Sequence, residues 1–173
     1  MSLSNLADIA YKKGQLSKAR ELLEAAAAIC KEVGNQRRVA AVSIEIAFVM
    51  CDQEDQGEAK DLLQNNIMAL VKLGDRERVA DALYALGNAV ARSAPRSAAT
   101  LWSAGARLRE ELQIAETSFE RSRHESWVAR AHAALNDEAA FDASWREGRE
   151  MSLDQAVKYA LELDVNATDV RSA

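Results

Sequence analysis

The sequence predicts an all-α fold, an α-solenoid of antiparallel helix pairs with repeats of about forty residues and a C-terminal capping helix. Good helix formers dominate the 173 residues, and there are seven glycines, one proline and no Asn-Gly, Asp-Gly or Gly-Gly hairpin signal. Residues of one class also recur at intervals of forty, as in Ala19, Ala59 and Ala99. Because a single helix pair cannot bury its apolar face, repeated pairs are expected to stack.

The first three repeats each contain two helical patterns separated by a short break. Gly14 and Gly34 are placed to end the two helices of the first repeat, since glycine readily adopts the left-handed conformation that follows a helix. Pro95 suits the first turn of a later helix. The repeats are predicted at 1–35, 36–75 and 76–115, with helix pairs at 3–13 and 16–33, 36–53 and 56–73, and 76–92 and 95–113.

The last third of the chain continues this pattern less regularly. Capping boxes, in which a Ser or Thr and a Glu or Gln three residues later satisfy each other's backbone N–H groups, mark helix starts at Thr117 and Ser152. Asn136-Asp137-Glu138 is a further helix start between them, and Gly148 is expected to end the helix that begins there. We expect a single domain over 1–164, with a fourth repeat at 116–150, an unpaired helix at 152–164 that caps the stack, and a tail at 165–173.

Charge and hydropathy exclude several classes of partner. The formal net charge is -5, whereas a nucleic-acid surface needs clustered Lys and Arg, so no direct nucleic-acid binding is expected. No apolar stretch is long enough to span a bilayer and no signal peptide precedes the repeats, so we expect a cytoplasmic protein with no membrane partner. Cys30 and Cys51 lie in apolar helical stretches and are expected to be reduced core residues, with a disulfide as the alternative.

A search for catalytic chemistry gives no candidate. The glycines are scattered and form no phosphate-binding loop. His124 and His132 are eight residues apart and lack the HExxH spacing that brings two zinc ligands together. No Ser, Cys or Asp stands in a recognisable nucleophile turn. We therefore predict that the protein is not an enzyme and needs no cofactor or metal; a hydrolase assembled from distant positions is the weaker alternative.

The first repeat resembles a tetratricopeptide repeat, a family whose units stack into a right-handed solenoid. The residues that carry this resemblance are Leu6, Ala7, Ala10, Gly14, Ala19, Leu23 and Ala26. Tetratricopeptide repeats run to about 34 residues, and armadillo and HEAT pairs are nearer to the length found here. The Leu-Ala pair, the Gly14 turn and the small residues of the second helix favour the tetratricopeptide type.

A second resemblance covers roughly residues 100–163. The order of Leu101-Trp102, Leu108-Arg109-Glu110, Phe119, Phe141, Trp145 and 151–161 is similar to the end of large bacterial signalling ATPases and LuxR-type transcriptional regulators. In those proteins a helical repeat region senses a ligand or a protein. The resemblance implies that this chain is such a sensor segment or a free-standing relative of one.

The tetratricopeptide resemblance implies that the first helix of each pair lines the concave side and carries the binding residues. Forty-residue steps then give Asp8, Tyr11, Lys12, Ile44, Phe48, Asp52, Tyr84, Asn88, Arg92, His124 and His132. We expect a ligand with an apolar anchor against Tyr11, Phe48 and Tyr84, and an acidic or hydrogen-bonding group near Arg92. The alternative is that Phe48 and Tyr84 only fill the space between the pairs.

Two functions follow from this interpretation. The first is a protein- or peptide-binding module, and the second is a small-molecule-sensing domain of a transcriptional regulator. An open groove would favour a peptide, and a closed apolar cavity would favour a small-molecule effector. An apolar strip through Leu6, Ile9 and Ala10 on the first helix predicts either a missing upstream repeat or a homodimer contact.

Overall fold

A computed structural model describes residues 2–163, and these fold into helices joined by short turns. The α-helices are α1 (Leu3–Lys12), α2 (Leu16–Glu32), α3 (Gln36–Asp52), α4 (Gln56–Lys72), α5 (Arg76–Val90), α6 (Pro95–Glu111), α7 (Ser118–Leu135), α8 (Glu138–Glu150) and α9 (Leu153–Glu162). No strand occurs in this part of the chain, and the all-α repeat fold is confirmed. The predicted tail at 165–173 lies outside the described residues.

The ends of the helices repeat as the sequence predicted. Gly14, Gly34 and Gly74 adopt φ values of 73°, 72° and 66°, in the left-handed region where a side chain would be strained. The residue after each of them donates its N–H to a carbonyl five residues earlier, which closes the helix end. Glu54 stands forty residues after Gly14 and adopts the same conformation, with φ at 71°. The turn geometry is thus retained even where glycine is not.

The first six helices form the regular part of the stack, in which each packs against the next along the chain. Small residues stand at the crossings: Ala19, Ala59 and Ala99 have no exposed surface. The helices α3 and α5, which open successive pairs, also contact each other and thereby join the pairs into one layer. We call the face of α1, α3 and α5 that bears Tyr11 and Phe48 the A-helix surface.

The structure corrects the expectation of a fourth pair at 116–150. It is α8 that packs along α6, about as extensively as α5 does, while α7 approaches α6 and α8 only briefly. Gly148 does not end α8, which continues to Glu150. Its missing side chain instead permits the close α6–α8 crossing, because a Cβ there would lie 2.1 Å from the Thr100 carbonyl oxygen and from Ser103 Oγ.

The structure also corrects the expected role of the last helix. α9 packs against α4, α5 and α6, so it covers the side of the stack rather than the end of the last repeat. Its buried residues, Ala156 and Ala160, are small enough to let it lie close to these helices. Gln64 of α4 donates its side-chain N–H to the Ala160 carbonyl at 2.9 Å and to the Leu163 carbonyl at 3.3 Å. These bonds satisfy carbonyls that a helix end leaves open.

Candidate binding site

A cavity of about 570 Å³ lies between the A-helix surface and the first turns of α7. Its walls come from α1, α3 and α5 on one side, and from α7 and the turn before it on the other. Most of the residues predicted for the concave face line it: Asp8, Tyr11, Lys12, Ile44, Phe48, Tyr84, Asn88 and His124. Residues eighty positions apart in the sequence are therefore brought together, because their helices repeat in register.

Three of the predicted residues do not line the cavity. Asp52 accepts a hydrogen bond from the hydroxyl of Tyr11, which does line the cavity. Arg92 follows the end of α5, is exposed and pairs with Glu54 at 2.6 Å, so it cannot receive a ligand group inside the cavity. His132 lies near the far end of α7, with its ring 5.0 Å from that of Phe141. His132 lies two turns beyond His124 on α7, past the part of the helix that forms the cavity wall.

Aromatic rings and one guanidinium group form the first part of the cavity wall. The Arg123 guanidinium of α7 lies 3.9 Å from the ring centre of Phe48 and 5.9 Å from the ring centres of Tyr11 and Phe119. The rings of Tyr11 and Phe119 meet edge to face at 5.9 Å. Burial raises the pKa of Tyr11 to about 12, against the opposing effect of the Arg123 charge. Tyr11 therefore stays protonated and can donate to Asp52.

His124 fills the next part of the wall. Its ring centre is 4.5 Å from that of Tyr84 and 5.7 Å from that of Trp102, which fills the crossing of α5 and α6. Burial, together with the Arg123 and Arg109 charges, lowers the pKa of His124 to about 4. The imidazole is therefore neutral near pH 7, and its buried Nδ1 has no hydrogen-bond partner in the described structure.

Charged side chains complete the cavity. Asp81 is paired with Arg78 at 2.9 Å and with Arg109 at 2.5 Å. Glu45 has no cation within ion-pair distance among residues 2–163, and burial raises its pKa, although Arg38 and Arg78 oppose this. A carboxylate that faces a cavity without a direct partner is suited to bind a cation or a hydrogen-bond donor.

Sequence reasoning missed several residues of this cavity. Glu45 and Asp81 stand three residues before Phe48 and Tyr84, and helical i−3 spacing could have identified them as neighbours on the same face. Phe119 and Arg123 gave no such signal, because the positions forty residues earlier, Val79 and Leu83, are buried apolar residues outside the cavity wall. Within the described part of the chain, no three potential metal ligands converge. None of the helices described combines the length and apolar composition needed to cross a bilayer.

The fold defines a helical repeat protein, and the cavity is the candidate binding site on it. The sequence profile of the tetratricopeptide repeat matches residues 1–65, which comprise α1, α2, α3 and the first part of α4. This match supports a tetratricopeptide repeat region there, and such repeats generally mediate interactions between proteins. No curated protein and no solved structure matches the chain. The resemblance of residues 100–163 to bacterial regulators stays a prediction.

Proposed function

We propose that the chain is a protein- or peptide-binding helical repeat module whose ligand binds at the A-helix surface. The observation that carries this proposal is the cavity itself, to which three successive first helices contribute side chains in register. Tyr11, Phe48 and Tyr84 offer large amphipathic rings, and Glu45 offers an unpaired carboxylate. Aromatic anchors with polar groups beside them are typical of the centres of protein interfaces.

The setting we propose for this module is the sensor or interaction segment of a bacterial regulator. The resemblance of residues 100–163 to the ends of signalling ATPases and LuxR-type regulators motivates this setting. In such a regulator, occupation of the A-helix surface would be the event that the rest of the protein reads out. The binding partner would then be a protein segment rather than a nucleic acid, in agreement with the net charge of -5.

A selection of random peptides tests this function. A phage-displayed library of 15-residue peptides is panned on the immobilised chain, and the recovered peptides are synthesised and measured by fluorescence anisotropy. Phe48→Ala should weaken binding about ten-fold or more, because a buried aromatic anchor carries a large share of interface energy. Ile29→Ala removes an exposed apolar side chain from α2, whose position lies outside the cavity, and should leave affinity unchanged.

Thermal melts of both variants establish that they are folded at the assay temperature. Recovered peptides that bind Phe48→Ala as tightly as the parent chain would place the binding surface elsewhere. A library that yields no binder for the parent chain would contradict the proposal of a peptide-binding module.

The size of the cavity favours a second candidate, a small-molecule-sensing domain. Its volume of about 570 Å³ lies within the range of about 300–1,000 Å³ typical of small-molecule sites, and α7 partly covers it. A panel of charged metabolites, screened by thermal shift on the parent chain and on Phe48→Ala, tests this candidate. A compound that raises the melting temperature of the parent only, and competes with no peptide, would favour the small-molecule function.

A further inference from the structure

Arg123 occupies an unusual position for a partly buried arginine. Within residues 2–163 no carboxylate lies within ion-pair distance of its guanidinium, which instead packs on the rings of Phe48, Tyr11 and Phe119. Other partly buried arginines of the cavity follow the usual pattern: Arg78 and Arg109 both pair with Asp81. The guanidinium is held by aromatic faces, with the Tyr11 hydroxyl also interacting with it, and its 3.9 Å approach to Phe48 is a close cation–π contact.

Two walls of this arrangement belong to the repeats and not to α7. Tyr11 stands on α1 and Phe48 on α3, at neighbouring places on the A-helix surface. The Tyr11 hydroxyl donates to Asp52, at the end of α3, and this bond fixes the orientation of the ring. The Tyr11 ring is therefore tied to α3 as well as to α1, apart from its contacts with Arg123 and Phe119 of α7.

The helix that supplies Arg123 is lightly attached. Only Trp127 and Ala131 are buried along the 18 residues of α7, and the segment that leads into it, 112–117, is not helical. Phe119, at the start of α7, is 39% exposed. A helix that buries so little apolar surface is expected to open locally at a lower free energy than the stacked pairs.

The carboxylates beside the rings differ in whether they are already paired. Asp8 is paired with Lys12 at 2.7 Å, and Asp81 is shared by Arg78 at 2.9 Å and Arg109 at 2.5 Å. Glu45 has no ion-pair partner among the described residues. If α7 moved away, the surface beside Phe48 would keep the Tyr11 ring and the Glu45 carboxylate and lose the Arg123 guanidinium.

We propose that Tyr11 and Phe48 form a guanidinium-binding site that Arg123 fills from within the chain and that an arginine side chain of a protein partner fills when α7 is displaced. This inference rests on the proposed peptide-binding function and names the chemistry of its ligand. The structure supplies the model of the bound state, because Arg123 already makes the contacts that the partner's arginine would make. The Phe119 ring would leave with α7. The partner's arginine would then contact only the Tyr11 and Phe48 rings, unless the partner supplies a third apolar group itself.

A probe of the site is N-acetyl-arginine N-methylamide, titrated into chain carrying ¹³C-labelled Phe and Tyr rings and followed by NMR. In the Arg123→Ala variant, the Phe48 and Tyr11 ring signals should shift saturably. The affinity should be about five-fold or more higher than in the parent chain, where Arg123 competes at a millimolar effective concentration. The matching citrulline probe has the same shape without the charge and should not bind measurably.

Arg121→Ala is the matched control variant. It removes the same charge from the same helix two residues away, at an exposed position, and should behave as the parent chain does. If Arg123→Ala does not fold, Arg123→Met takes its place. The methionine keeps an apolar stem against Phe48, so the arginine probe should bind this variant less tightly than it would bind the alanine variant. Phe48→Leu in the Arg123→Ala background should abolish the shift of the Tyr11 ring signal.

The outcomes separate this inference from the proposed function. Equal binding of the arginine and citrulline probes, or equal affinity of Arg123→Ala and Arg121→Ala, would overturn the guanidinium site while leaving peptide binding intact. Peptides recovered from the library should in turn contain an arginine whose replacement by citrulline weakens binding about ten-fold. A variant that binds the arginine probe when the library yields no peptide would support the site and contradict the peptide-binding function.

Discussion

Gly87 of α5 and Trp102 of α6 form a compensating pair that can be tested by substitution. A Cβ on Gly87 would lie 2.4 Å from Trp102 Nε1 and 2.5 Å from Cδ1, well inside van der Waals contact. The indole cannot move aside, because it is fully buried and its Nε1–H donates to Asn88 Oδ1 at 3.0 Å. Gly87→Ala should therefore lower the free energy of unfolding by about 1–3 kcal/mol, through overpacking.

The other repeats suggest a second substitution that should compensate for Gly87→Ala. In the first two repeats the equivalent positions hold an alanine and a leucine, Ala7 with Leu22 and Ala47 with Leu62. Trp102→Leu alone should cost about 2–4 kcal/mol, because it leaves a cavity and removes the donor to buried Asn88. Gly87→Ala combined with Trp102→Leu restores the pair of the other repeats and should cost less than the sum by about 1 kcal/mol or more.

Urea unfolding followed by circular dichroism at 222 nm measures these differences, provided that the slope of the transition stays constant. Gly57→Ala is the matched control, since Gly57 lies in α4 with nothing within 4 Å of the added Cβ, and it should be neutral or stabilising by up to about 1 kcal/mol. If the change in the free energy of unfolding of the double variant equals the sum of the changes of Gly87→Ala and Trp102→Leu, the two positions do not compensate each other.

Three further changes test the packing and the site. Ala59→Leu, at a fully buried crossing, should cost about 1–3 kcal/mol in urea unfolding, while Ala28→Leu on the exposed face of α2 should not; equal effects would contradict the repeat register. Ala160→Arg should detach α9 and lower the melting temperature, and an unchanged melt would show that α9 contributes nothing to stability. The pKa of His124 is depressed to about 4 in the folded state, so stability is lost as pH falls from about 6.5 towards 4; relative to His124→Phe, the parent should lose on the order of 1 kcal/mol between pH 7 and 5.

The regular pairs could be predicted because their signals are local and repeated. The helix predicted at 56–73 is found at Gln56–Lys72, and the turn after Gly14 follows from the conformation that glycine permits. The forty-residue register then placed Tyr11, Phe48 and Tyr84 along one surface, where the structure has them lining one cavity. A repeat in the sequence predicts which side of a helix faces its neighbour, provided that each repeat packs in the same way as the repeat before it.

The placement of α7 and α9 could not be predicted by the same reasoning. Their capping boxes at Thr117 and Ser152 are present as expected, but a capping box fixes where a helix begins and not what it packs against. Gly148 lets α8 come close to α6, and α8 rather than α7 packs along that helix. A glycine inside a helical pattern is compatible both with a helix end and with a close helix crossing. The two cases differ in whether another helix packs against the glycine, and the local sequence does not show this.

The position of α7 gives the proposed site a built-in competitor. A partner that binds the A-helix surface must gain more free energy than α7 loses on leaving, so its apparent affinity falls by the fraction of chains in which the surface is open. Because α7 buries few residues, the fraction of chains with an open surface is expected to be measurable. A variant that weakens the attachment of α7 should raise this fraction and so bind the partner more tightly without any new contact. Arg123 makes the contact of α7 that competes most directly with a partner. Its removal takes away an interaction of the closed state, while the Tyr11 and Phe48 rings that a partner would contact stay in place.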